Sequence, residues 1–153
     1  MPFRVHRSSI LNASKAEVWS SISSMDGINY ELAPWLSMTY PPEAATLPPH
    51  VPLGVTLFRS KIMLLTLVPI DLHDLTLEAF DAGTGFRESS TTILQKYWKH
   101  NRSLESLGVD RCMVSDELEF QPRLPLVGYA LVVLVGMVFT WRHRRLAARF
   151  NGS

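Results

Sequence analysis

The sequence has a single cysteine, Cys112, among 153 residues. One thiol cannot form a disulfide within the chain, and it supplies too few ligands for a cysteine-built zinc site. The first ten residues lack the apolar segment of a secretory signal, so the free thiol favours a cytoplasmic protein. We expect a chain of this length to form one domain, residues 1–153, that folds without cross-links.

Charged residues are also scarce, at 19% of the chain, and no acidic residue occurs after residue 119. This low content excludes a disordered or strongly charged chain. Residues 1–119 contain 14 acidic and ten basic residues, a net charge of −4, whereas residues 120–153 contain five arginines, a net charge of +5. The terminal arginines could meet phosphate or a membrane surface, or they could offset the dipole of a helix C-terminus, and we favour the second interpretation. The strand segments carry no basic stripe, so we expect no nucleic-acid partner.

The N-terminal part predicts one strand followed by two short helices. Residues 3–11 alternate apolar and polar side chains, which is typical of a strand. The spacing of Ser14 and Glu17 is that of a capping box and predicts a helix over residues 15–24. A second helix, over 28–32, ends before proline, because proline disfavours helical backbone in the residue preceding it.

Most of the remaining chain predicts antiparallel strands. Residues 54–121 alternate in several stretches, with turns at Gly83 and Gly108. Such a sheet needs one face covered. The segment 126–150 contains no proline and is too long for a strand, so it predicts the covering helix. The fold class is therefore α+β, with one antiparallel sheet wrapped around a long C-terminal helix.

Several short motifs accompany this order of elements: Ala16-Glu17-Val18-Trp19, Gly85-Phe86-Arg87-Glu88, Trp98-x-His100-x-Arg102, Asp116 and Phe139-x-Trp141-Arg142-His143-Arg144-Arg145-Leu146. With that order, they resemble the SRPBCC superfamily, the START-like, helix-grip group of lipid-transfer domains, pollen-allergen-like proteins and polyketide cyclases. They resemble its bacterial members of unassigned function in particular. The resemblance implies a curved sheet that grips the C-terminal helix, two short helices after the first strand, and a ligand cavity between sheet and helix. Neither a Rieske-type Cys/His set nor a receptor gate-and-latch pair is found, which argues against those functions.

Side chains alternate across strands, so inward-facing positions can be predicted. The even-numbered residues of 94–104 and 112–120 predict one inward face, and strand pairing would bring Asp116 near His100. We expect the apolar inward residues to line a pocket of more than about 300 Å³. The predicted ligand site has six apolar and five polar residues: Phe58, Leu77, Phe86, Trp98, Leu118 and Phe120, with His73, Glu88, His100, Arg102 and Asp116.

The polar members of this set allow more than one chemistry. A carboxylate beside a histidine can act as acid or base, or it can orient a ligand or form a self-satisfied buried pair. His73, Glu88, His100 and Asp116 come from separate strands and form no metal-site motif, so we expect neither metal nor cofactor. No catalytic residue is assigned.

Three functions follow as alternatives. The leading prediction is binding of an apolar or amphipathic small molecule, such as a lipid or an aromatic metabolite, without catalysis. The first alternative is a cyclase- or hydrolase-type enzyme that uses Glu88, His100 or Asp116 as acid or base. The second is an interaction module that acts through its C-terminal helix.

The stretch 124–141 runs 18 positions without a charge. As a helix it would be about 27 Å long, near the minimum for a membrane span. The arginines that follow would be held in the cytoplasm, which would place the body of the domain outside and argues against a span. A helix that covers one sheet face normally shows regular polar positions. We therefore expect the outer face of 124–141 to form a homodimer contact or to lie against a membrane surface.

Overall fold

The structure, a computed structural model, describes residues 2–151. Its seven antiparallel strands form one curved sheet in the order β1-β7-β6-β5-β4-β3-β2. The strands are β1 (Phe3–Leu11), β2 (Leu36–Met38), β3 (Thr56–Leu64), β4 (Val68–Asp81), β5 (Gly85–Thr92), β6 (Gln95–Gly108) and β7 (Arg111–Pro122). The predicted α+β, helix-grip architecture is confirmed.

Two short helices follow β1, and a long helix ends the fold: α1 (Lys15–Ile22), α2 (Met25–Leu32) and α3 (Gly128–Phe150). The Ser14 hydroxyl accepts a hydrogen bond from the Glu17 N–H at 3.2 Å, as the capping box predicts. Ser24 caps α2 in the same way, accepting from the Gly27 N–H at 3.0 Å. This second cap makes α1 shorter than predicted and starts α2 earlier, because each cap satisfies free N–H groups of a new first turn.

The two ends of the sheet differ in whether a helix packs against their turns. At one end lie the turns between β4 and β5 and between β6 and β7, and α1 packs there with Trp19 5.6 Å from the Phe80 ring. At the other end lie the tip of the β3–β4 hairpin, the β5–β6 turn and the start of α3. We call this second end, made of residues 64–70, 93–94 and 124–129, the apolar end, because its large apolar side chains are exposed.

The core consists of two apolar clusters separated along α3 and β7. One cluster joins α1, β1, β6, β7 and the last turns of α3, and includes Leu11, Val18, Ile22, Val114 and Leu146. The other lies toward the apolar end and consists of Val5, Leu118, Phe120 and Phe139. On β7 the inward residue between them is Asp116, and on α3 the residues between them are Arg142 and His143. A buried charged layer therefore divides the core.

Only the sheet-facing side of α3 is buried. Gly128 allows the helix to approach β1 closely, because a Cβ atom there would lie 2.7 Å from the Phe3 ring. On the opposite side Val133, Leu134 and Met137 are exposed. With the turn before it, this helix is long and apolar enough to cross a membrane by length and composition alone, with a mean hydropathy of 1.6. The apolar outer face expected from the sequence is present.

Candidate functional site

All five polar residues predicted to face inward are buried in the structure. His73, Glu88, His100, Arg102 and Asp116 have exposed fractions of 8% or less. Glu88 pairs with His100 across β5 and β6, and Arg102 pairs with Asp116 across β6 and β7. Directly paired residues on antiparallel strands share a face, so the register itself brings these groups together.

Arg102 lies at the centre of one half of this network. Its guanidinium donates to both oxygens of Asp116, at 2.7 and 2.8 Å, and to both oxygens of Glu31 on α2, at 2.8 and 2.9 Å. Arg142 on α3 donates to Glu31 Oε1 at 3.0 Å. Burial alone would raise the pKa of Glu31, but the charges of Arg102 and Arg142 outweigh it and hold that pKa below its usual value. These charge-assisted contacts tie α2, α3 and the sheet together.

Asp116 is fully buried and accepts four hydrogen bonds. Besides the two from Arg102, it accepts one from His100 Nε2 at 2.6 Å and one from His143 Nε2 at 2.8 Å. Both Nε2 atoms therefore carry a proton, because an ionised carboxylate only accepts. His143 Nδ1 lies 2.6 Å from the Ser9 hydroxyl and can accept its proton. Burial opposes the charge of Asp116, but Arg102 keeps the pKa of that carboxyl well below its usual range.

A carboxylate–imidazole pair forms the other half of the network. Glu88 Oε2 accepts hydrogen bonds from His73 Nε2 and, at 2.6 Å, from the Ser90 hydroxyl. His100 Nδ1 lies 3.7 Å from Glu88 Oε1 and links the two halves. Burial opposes the charge on both partners, but their attraction outweighs it, so the pKa of Glu88 is lowered and that of His73 is raised. Below the raised pKa of His73, the two form a buried ion pair.

Few atoms of this region keep free hydrogen-bonding capacity. Among residues 2–151, His73 Nδ1 has no hydrogen-bond partner, and neither has Oε1 of Gln95, a side chain that is 4% exposed. Both residues lie beside Thr92, which pairs with His73 and whose hydroxyl accepts from the Gln95 N–H at 2.9 Å. Thr92 is the last residue of β5, so these spare polar atoms lie at the side of the network nearest the apolar end.

The inward positions of β6 differ from the prediction at its start. A register shift between Gln95 and Tyr97 places Gln95 in the interior, while Leu94 and Lys96 are exposed. A bulge adds one residue to one strand and so reverses the alternation that the sequence analysis assumed. Gln95 was missed for this reason, and no residue type in the sequence signals the bulge.

Several further network residues lie outside the predicted ligand site. Glu31 lies on a short helix whose faces cannot be ranked from eight residues. Arg142 and His143 belong to the C-terminal motif named above, and Arg142 is one of the arginines that we interpret from the sequence as offsetting the helix dipole. The structure corrects that interpretation, since Arg142 bonds Glu31 and His143 bonds Asp116. Arg145 instead donates to the Tyr30 carbonyl at 3.0 Å.

The six apolar residues predicted to line a pocket are mostly packed against one another or against the network. Leu118 and Phe120 belong to a core cluster, and Trp98 lies 5.5 Å from the Phe120 ring and 6.4 Å from Phe139. Phe58 and Leu77 are buried, and Phe86 is half-buried, 5.5 Å from the His100 ring. These contacts fill the middle of the space between sheet and helix.

The surface of the described chain includes two depressions that differ from the expected apolar pocket between sheet and helix. One has a volume of about 510 Å³ and is lined by Arg59, Leu72, Asp74, Thr91, Thr92, Ile93 and Arg123. The other, of about 260 Å³, lies around the β4–β5 turn and includes Phe86 and Arg102. The first depression lies on the outward side of the sheet, because Asp74 and Thr91 alternate with the buried His73 and Thr92.

The chain has the helix-grip fold that several solved structures share. A START superfamily protein from Mycobacterium smegmatis superposes with a TM-score of 0.68, 12% identity and 97% of each chain covered. Zhui aromatase/cyclase from Streptomyces sp. R1128 superposes with a TM-score of 0.70 and 10% identity, and the match covers 97% of this chain and 93% of that chain. Truncated norcoclaurine synthase from Thalictrum flavum superposes with a TM-score of 0.67 and 9% identity, and the match covers 97% of this chain and 92% of that chain. At these identities the likeness shows the fold, and it confirms the helix-grip fold that the SRPBCC resemblance implies.

The family follows from the sequence itself. Residues 9–150 match the family described as "Domain of unknown function (DUF8410)", so the chain belongs to that family. No curated protein matches the sequence.

Proposed function

We propose that the protein binds an amphipathic small molecule between the sheet and the start of α3, with its polar group at His73 and Gln95. The observation that carries this proposal is the unpartnered Oε1 atom of the buried Gln95. A buried acceptor without a partner costs about 1–3 kcal/mol of stability. Ligand sites, in contrast, combine apolar walls with a few polar groups that keep free capacity for the ligand.

The neighbourhood of Gln95 supports the same conclusion. His73 lies two strands away, about 10 Å at normal strand spacing, and it also has a ring nitrogen without a partner in the described chain. Exposed apolar side chains surround this end of the sheet. A molecule with a polar group at Gln95 and His73 would place its apolar part among them, whereas the middle of the interior is occupied by the charged network.

The proposal is tested by a substitution whose two effects have opposite signs. Gln95→Met removes the unpartnered acceptor at similar volume, so we expect a rise of about 1 kcal/mol in the free energy of unfolding. The same change should weaken binding of the fluorescent amphiphile anilinonaphthalene sulfonate about tenfold, the equivalent of one hydrogen bond. Trp98, whose ring lies 6.4 Å from His73, should transfer energy to the bound probe, and Trp98→Phe should remove that signal.

The matched control is Asn101→Ala, which removes a solvent-exposed amide from the same strand. It should leave both stability and probe affinity unchanged. Native mass spectrometry of the purified protein should show a retained small molecule in the wild type and less of it in Gln95→Met. Equal affinity of wild type and Gln95→Met for the probe, with no retained molecule, would overturn the proposal.

The second candidate function, acid–base catalysis, is favoured by the His73–Glu88 pair. A carboxylate that holds one imidazole nitrogen and leaves the other free is the arrangement that positions a general acid or base. The acid–base candidates proposed from the sequence, Glu88, His100 and Asp116, all bond one another or neighbouring side chains. The catalytic group in this scheme would therefore be His73, which was not among those candidates. An ester turnover that His73→Gln abolishes, and that falls as pH rises through the elevated pKa of His73, would favour the enzyme.

A further inference from the structure

Exposed apolar side chains are concentrated at the apolar end. They come from three protruding segments: Leu65, Leu67 and Val68 at the β3–β4 tip, Ile93 and Leu94 in the β5–β6 turn, and Leu124, Leu126, Val127 and Tyr129 at the start of α3. Leu67 is 78% exposed and Leu126 is 98% exposed. A concentration of exposed apolar side chains of this kind is typical of an interaction surface.

Hydrogen bonds join the β5–β6 turn to the β3–β4 hairpin and to the segment before α3. The Ile93 N–H donates to the Leu72 carbonyl at 3.2 Å, which joins the β5–β6 turn to the β3–β4 hairpin. The Arg123 side chain donates to the Ile93 carbonyl at 3.0 Å, which joins the same turn to the start of α3. The three segments therefore lie at the same end of the sheet, with the β3–β4 tip projecting beyond the β5–β6 turn.

The charges around this surface are mainly positive. Lys61 and Lys96 are exposed and form no salt bridge within residues 2–151, and Arg123 bonds only backbone carbonyls there. The carboxylate of Asp71 is engaged by three backbone N–H groups, those of Leu72, Ile93 and Leu94. The flanking charge is therefore complementary to an anionic partner.

We propose that the apolar end docks on the surface of an anionic lipid bilayer, a function separate from the small-molecule binding proposed above. Leu67, Ile93 and Leu126 would enter the acyl region, and the flanking lysines and Arg123 would meet lipid phosphates, as in interfacial anchors. A second copy of the chain fits less well, because a two-fold contact would bring the same cations together. The hydrogen bonds of Arg142 and His143 keep α3 on the sheet, so the contact is peripheral.

Vesicle co-sedimentation tests the docking surface directly. The wild type should bind vesicles of phosphatidylcholine and phosphatidylglycerol in equal parts, and bind phosphatidylcholine vesicles at least tenfold more weakly. Leu67→Glu/Leu126→Glu should lose binding at least tenfold, and Lys61→Gln/Lys96→Gln should lose only the preference for anionic vesicles. The matched control is Val109→Glu, since Val109 is 87% exposed in the β6–β7 turn, about 45 Å away along the 14-residue strand β6.

Circular dichroism and thermal midpoints should show that all variants are folded. Anionic-vesicle binding that is lost in Leu67→Glu/Leu126→Glu and kept in Val109→Glu supports the proposal. A wild type that binds neither vesicle, or a Val109→Glu variant that loses as much, overturns it. A concentration-dependent dimer that Leu126→Glu dissociates, without vesicle binding, would assign this surface to a second copy instead. Probe binding at Gln95 is read separately, so neither result decides the other.

Discussion

At the scale of single residues, the buried carboxylate of Asp116 determines which polar side chains must lie beside it in the interior. The inward residues on either side of it along β7 are Cys112, Val114, Leu118 and Phe120, all buried and apolar. A lone carboxylate in such a position would take up a proton or cost several kcal/mol. Four hydrogen bonds from three cationic or imidazole side chains keep it ionised instead. The position therefore needs Arg102, His100 and His143 together.

Replacement of Asp116 should expose this dependence. Asp116→Asn removes the charge that faces Arg102 and turns two acceptors into one, so we expect a loss of about 3–5 kcal/mol in the free energy of unfolding. Urea denaturation measures it. Glu119→Gln is the control, because Glu119 forms an exposed pair with Arg4 and should change stability by less than about 1 kcal/mol. An Asp116→Asn variant as stable as the control would show that the network does not stabilise the fold.

The His73–Glu88 pair predicts a loss of stability at alkaline pH. The pKa of His73 is raised in the folded protein, so the pair contributes its full stability below the unfolded value of about 6.5. That contribution is lost as pH rises through the folded pKa. Unfolding midpoints in urea should therefore fall above about pH 6.5 in the wild type and stay level in His73→Gln.

The exposed His6 provides the control for this titration. His6→Gln should keep the alkaline fall of the wild type. A His73→Gln variant that shows the same fall would assign the effect to another group.

At the scale of elements, the limits of sequence-based prediction are visible in α2 and β6. Strands β1, β4 and β7 follow from their alternation, and α1 follows from its capping box. The interior position of Glu31 on α2 depends on Arg102, which is 71 residues away in the chain. The interior position of Gln95 depends on a bulge at the start of β6. Local periodicity predicts neither of these interior positions, because both arise from tertiary packing.

The corner between α1 and α2 predicts a steric effect at Gly27. A Cβ atom on Gly27 would lie 1.7 Å from the Ser21 carbonyl oxygen, which is backbone and cannot move without disturbing α1. We expect Gly27→Ala to lower the free energy of unfolding by about 3 kcal/mol or more, at the upper end of overpacking effects. Thermal unfolding measures it. Ser20→Ala, at an exposed position of α1, should change stability by less than about 0.5 kcal/mol. Equal midpoints for the two variants would contradict the predicted clash.

At the scale of the whole molecule, the charged layer connects elements that the apolar clusters leave apart. It joins α2, α3 and strands β4 to β7, whereas one apolar cluster lies toward α1 and the other toward the apolar end. Glu31, Glu88 and Asp116 offer three negative charges, and Arg102, Arg142 and the protonated His73 offer three positive ones. A balanced layer of this kind can be buried because each ionised group is paired. Protonation of the carboxylates would remove this pairing and destabilise the layer.

Acid should therefore unfold the domain as one unit. Glu31, Glu88 and Asp116 all have lowered pKa values in the folded protein. Their contribution is complete above the unfolded values of about 4 and is lost as pH falls through the folded values. We expect the thermal midpoint to drop steeply below about pH 4, with coincident transitions in far-ultraviolet circular dichroism and tryptophan fluorescence. Glu88→Gln should make the drop less steep, while Glu119→Gln should not. A midpoint that stays level down to about pH 3, or an early transition of the helices alone, would show that the layer does not hold the molecule together.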